Sequence, residues 1–90
     1  MQTLKVAGES SYQKLVETLE LRSDDHVIQR RNLTDSEQNL VCPLDCLVMP
    51  KTKEVLVHVH PVSFTAVLDI FKMLGINLEV LHLNSIQVIS

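Results

Sequence analysis

Glu54-Val-Leu-Val-His-Val-His60 is the stretch that most restricts what this chain can fold into. Strand side chains alternate between faces, so Val55, Val57 and Val59 share one side while Leu56, His58 and His60 share the other. From Pro61 to Gly75 the apolar residues take up helical spacing, and Ile76 to Leu83 returns to strand character. The result is a strand, a helix and a strand, with a valine face that needs cover.

The helix in this unit has its own surplus. Pro61 suits a first helical turn, where its missing N–H has no partner to lose. Val62, Phe64, Ala66, Val67, Leu68, Ile70, Phe71, Met73 and Leu74 leave only a narrow polar stripe of Thr65, Asp69 and Lys72. A helix apolar over most of its circumference needs cover on more than one side. Gly75 fits the left-handed position that ends a helix. Beyond Leu83, a turn at Asn84-Ser85 and the run Ile86 to Ile89 make an apolar tail that is expected to pair in a sheet.

Upstream, Thr3 to Ala7 alternates and is closed by Gly8, which reads as a first strand. Ser10 as N-cap, Gln13 in capping-box position and Tyr12, Leu15, Val16 and Leu19 predict an amphipathic helix ending near Arg22. Residues 23–39 are polar, and mobility is expected there, with an edge strand over His26–Arg31 as the main element within it. Leu40 to Met49 is apolar again, and Pro43 implies an edge position or a bulge. Pro50 to Lys53 then turns the chain, pairing Cys46–Met49 with Glu54–Val59 as a hairpin.

A 90-residue chain makes one domain, and its 46% of apolar residues argues for a packed aliphatic core. The predicted class is α+β, residues 1–90 forming a single small domain with two helices on one antiparallel or mixed sheet. In element order this resembles the split strand-helix-strand (βαβ) layout of ferredoxin-like domains. The resemblance lies in element order alone, so it carries no functional residue with it.

Several function classes fit poorly. A net charge of −3 and 3% aromatics offer neither attraction to a polyanion nor a stacking platform for bases, so nucleic acid is not an expected partner. No run reaches the roughly 20 apolar residues of a membrane span. Met1 to Lys5 is strand-like rather than a leader, and with two cysteines the expected location is the reducing cytoplasm.

The chemistry-bearing residues are few. His58 and His60 share a strand face roughly 6–7 Å apart, and Cys42 with Cys46 completes a four-ligand set for zinc. The same cysteines, as a redox pair, lack the usual C-x-x-C spacing. A second alternative is a small enzyme with histidine acid–base chemistry, although two glycines leave no phosphate cradle.

The leading expectation is a non-catalytic interaction or regulatory module, without cofactor, that associates as a homodimer. Its expected interface residues are Leu56, Phe64 and Phe71 together with Ile86, Val88 and Ile89 of the tail. So much aliphatic surface in so small a domain is hard to hide in a monomer.

Overall fold

The computed structural model describes residues 2–23 and 27–81. In chain order these form β1 (Gln2–Ala7), α1 (Glu9–Leu19), β2 (Ile28–Thr34), β3 (Leu40–Met49) and β4 (Glu54–Val59), then α2 (Phe64–Met73) and β5 (Leu78–Leu81). A single 3-10 turn at Pro61–Ser63 leads into α2. The strands make one five-stranded sheet in the order β2-β3-β4-β1-β5, and every pairing is antiparallel. The class is therefore α+β, two helices on an antiparallel sheet. No helix among the described residues is long and apolar enough to cross a membrane.

Both helices lie on one face. Leu4 and Val6 of β1, Leu44, Cys46 and Val48 of β3, and Val55, Val57 and Val59 of β4 are fully buried, in one cluster with Tyr12, Leu15, Leu19, Val67 and Phe71. The valine face thus takes the cover its alternation demands. Leu78 and Val80 of β5 sit opposite Val6 and Leu4 and extend the same cluster.

Three local details depart from the sequence expectation, each for a physical reason. First, α1 starts at Glu9 behind Gly8, with no side-chain cap; the Gly8 carbonyl accepts from the Tyr12 N–H at 2.9 Å. Ser11, not Ser10, carries the structural hydroxyl, its Oγ accepting the Asn77 N–H at 2.9 Å and so tying α1 to the entry of β5. The helix ends at Leu19, because Glu20 turns left-handed (φ 52°) and Leu21 sends its N–H back to the Val16 carbonyl at 2.9 Å. Gly75 ends α2 in the same manner at φ 74°, with the Ile76 N–H reaching the Phe71 carbonyl at 2.9 Å.

Second, the polar segment contains a seven-residue strand. The Gln29 amide makes it viable, accepting from the Arg22 N–H at 2.7 Å and donating to the Arg22 carbonyl at 2.8 Å, so a buried polar side chain is satisfied. Asp35 closes the turn that follows by accepting from the backbone N–H groups of Glu37 and Asn39, each at 2.9 Å.

Third, β3 is longer than the hairpin arm expected of it, starting at Leu40. Its register against β2 shifts between Leu33 and Thr34, which leaves Val41 as the extra residue of a bulge. Pro43 lies beyond the β3–β4 ladder, which runs from Asp45 opposite His58 to Met49 opposite Glu54, so it interrupts no bond to β4.

Candidate functional site: the open face of the sheet

With both helices on one side, alternation fixes what the other side presents. The strand registers set Ile28, Leu47, Leu56, Lys5 and Glu79 in one row across the five strands. The adjacent row is Arg30, Asp45, His58, Thr3 and Leu81. Three neighbouring strands thus put aliphatic side chains side by side on a face that neither α1 nor α2 covers. Ile28 is 68% exposed, and Leu47 and Leu56 are half-buried.

A groove of about 240 Å³ runs between the two rows, lined by Ile28, Asp45, Leu47 and His58. One rim is an ion pair with fork geometry: Arg30 Nε donates to Asp45 Oδ1 at 2.8 Å and Nη2 to Oδ2 at 3.0 Å. The guanidinium holds the Asp45 carboxyl below its usual range, with a smaller push from His58 in the same direction. On the other side of the apolar row, Lys5 Nζ meets Glu54 Oε2 at 3.0 Å. That contact raises the Lys5 ammonium and, with the Thr52 hydroxyl donating at 2.9 Å, lowers the Glu54 carboxyl. Each charge flanking the leucines has a partner within the face.

Arg31 and Lys53 also have contacts within the chain. Arg31 donates to the Arg30 carbonyl at 2.9 Å and to Gln29 Oε1 at 3.2 Å, and the Lys53 ammonium lies 5.3 Å from the centre of the Tyr12 ring.

The structure separates the residues expected to hold zinc. Cys42 and Cys46 are buried among the core residues, and four residues of extended β3 put their Cα atoms about 13 Å apart. One ion cannot bind both at zinc–sulfur distances near 2.3 Å, and a disulfide needs Cα atoms within about 7 Å. His58 points to the open face, and His60 accepts the Val62 N–H on Nδ1 at 3.1 Å, capping the 3-10 turn. Among the described residues, no group of three or more His, Cys, Asp or Glu side chains is placed to hold a metal ion. A cysteine nucleophile with His58 as its base is likewise divided between the two faces.

Of the expected interface residues, Leu56 lies in the centre of the open face. Phe64 is partly buried against the core, and Phe71 is at 0% exposure, covered within the chain by its own fold. Ile86, Val88 and Ile89 lie outside the described residues. Sequence reasoning missed Ile28 and Leu47, although extending the β4 alternation to the run ending at Met49 puts Leu47 on the side of Leu56.

No family model, curated protein or solved structure matches this chain. The site is therefore read from its own chemistry.

The thiols give a direct check on that reading. Burial pushes the Cys46 thiol up to about 12, aided by the Asp45 charge, and burial also raises Cys42 against a small opposing pull from Ser63. With the folded value raised, the stability gained by keeping the Cys46 thiol protonated is complete below its ordinary value of 9.0 and is lost as pH rises towards about 12. At pH 8 the native chain is expected to resist a thiol reagent such as dithionitrobenzoate, while in 8 M urea both cysteines react. Fast labelling of two thiols in the folded protein would mean that β3 does not hold them as described.

Proposed function

We propose that this chain is a non-catalytic interaction module that works as a homodimer. The observation that carries this reading is the row Ile28, Leu47 and Leu56, on the sheet face that neither α1 nor α2 covers. Contiguous apolar surface on a small domain marks an interaction site. The cysteines lie in the core, and Asp45 and Glu54 of this face are already paired with Arg30 and Lys5.

We read the strands β3-β4-β1-β5 with α1 and α2 as a ferredoxin-like core, and β2 as a strand added at its edge. An added strand widens the sheet, and Ile28 extends the apolar row by one position. Free, buried cysteines fit a cytoplasmic protein.

Sedimentation equilibrium from 1 to 100 μM tests the proposal. The expected mass is twice the 10.2 kDa of one chain, with a dissociation constant in the micromolar range. A strictly monomeric chain at 100 μM overturns it.

A further inference from the structure

We infer that the open face is covered by a second copy of this chain stacked face to face over Ile28, Leu47 and Leu56, not by a strand added at either edge of the sheet. The inference rests on the proposed self-association and specifies the surface that performs it.

The two edges are poorly suited to pairing. β2 presents Arg30 and Arg31, and the β2–β3 ladder is interrupted at its far end by the Val41 bulge; arginines and bulges are among the devices that discourage strand addition. At the opposite edge, β5 has four residues among those described, and Glu79 puts a charge on it.

The face has the opposite character. Five strands spaced about 4.8 Å apart and roughly six residues long make a surface of about 20 Å by 20 Å. Corrugated by side chains, that is on the order of 600–800 Å² of accessible area, close to the roughly 800 Å² that each partner gives to a stable interface of standard size. The groove of about 240 Å³ is smaller than a typical small-molecule site, and suits the aliphatic side chains of a facing sheet.

Charge selects a copy over a differently charged partner. Arg30 is paired with Asp45 and Lys5 with Glu54, leaving Glu79, which also acts on Lys5, as the one further carboxylate in these rows. A face that meets itself must not carry a large charge of one sign, since like charges then oppose one another across the two-fold axis. Here the two ion pairs are closed before association, so a copy that covers the leucines meets paired charges beside them, with Glu79 at the edge of the sheet. On the helical side, Ile70, Met73 and Leu74 line a cleft of about 260 Å³ whose other walls are the polar Thr18, Thr34, Asp35 and Ser36, so Met73 marks the rival surface for the test.

The test compares Leu47→Glu and Ile28→Glu with Met73→Glu, which is 77% exposed on the helical side, and circular dichroism with a urea midpoint verifies that each folds. Leu47→Glu and Ile28→Glu are expected to weaken the dimer at least thirtyfold, the loss typical of a central interface residue, and Met73→Glu less than threefold. Because Cys42 and Cys46 are buried, Leu47→Cys adds one accessible thiol, and mild oxidation is expected to link two copies covalently. This variant keeps the inference falsifiable if a glutamate variant fails to fold. A dimer as tight in both glutamate variants as in the native chain, with Leu47→Cys failing to cross-link, overturns the stacked face and leaves self-association standing. A native chain that stays monomeric overturns both, and retention of a different protein on the face would then point to a hetero-partner.

Discussion

Replacing Phe71 with alanine is expected to cost the fold about 3–5 kcal/mol, the usual range for removing a fully buried phenylalanine. Phe71 has 0% exposure, the largest side chain so enclosed, and its backbone carbonyl also accepts the Ile76 N–H that ends α2. The truncation opens a cavity between α2 and the sheet that the surrounding valines, stiff at χ1, fill poorly. A small domain has about 5–15 kcal/mol in total, so the loss takes a large share of it. At roughly 4–8 °C per kcal/mol for a chain of this size, the melting temperature falls by about 12–40 °C. Met73→Ala, two residues on and exposed, is expected to change stability by less than about 0.5 kcal/mol. Urea denaturation of both variants, run at a concentration where the native chain is monomeric, decides the matter. If Phe71 served an interface, its alanine variant would keep the monomer's midpoint and lose association instead.

How much of this was legible in advance depended on where the stabilising partner lies. β4 was readable because each of its residues agrees with its face: valines to the core, Leu56 and His58 away from it. α2 was readable from spacing, and Gly75 from the positive φ that a helix end needs. β2 was only partly legible, because its core side consists of Gln29, the half-buried Arg31 and Leu33, and the Gln29 amide is satisfied by the backbone of Arg22 seven residues earlier. Hydrophobic periodicity does not register a buried glutamine. β3 hid behind Pro43 and Asp45, which look like loop residues until Arg30 from the neighbouring strand pairs with Asp45.

The zinc set shows the same dependence in reverse. Cys42 and Cys46 are four apart, a spacing that brings side chains together in a helix and holds them apart in a strand. Once β3 is extended over both, one residue pattern changes from a ligand pair into two core thiols. The open face was legible only in Leu56. Ile28 and Leu47 join it through the registers of two further strands, which are long-range facts that no local window contains.

The turn that leaves this face open rests on Gly8, and Gly8→Ala is expected to cost about 1–3 kcal/mol from backbone strain alone. Gly8 sits at φ 96° and ψ 142°, a conformation that side chains of L-residues rarely adopt. A Cβ built there has nothing within 4 Å, so no clash contributes and the whole effect lies in the dihedral angles. The conformation has a clear purpose, because it reverses the chain directly after β1 and starts α1 over the core face. Gly75→Ala offers a contrast: at φ 74° the strain is similar, but a Cβ also comes within 3.0 Å of Lys14 Nζ, the flexible end of a side chain that donates to the Gly75 carbonyl at 3.2 Å. Chemical synthesis with D-alanine at position 8 separates strain from loss of flexibility, since a D-residue favours positive φ. D-alanine suits φ 96° but not ψ 142°, so its protein is expected to fall below the native urea midpoint by less than the L-alanine protein does. Equal midpoints for the two alanines would mean that the turn after β1 does not require positive φ, and that α1 reaches the core face by another path.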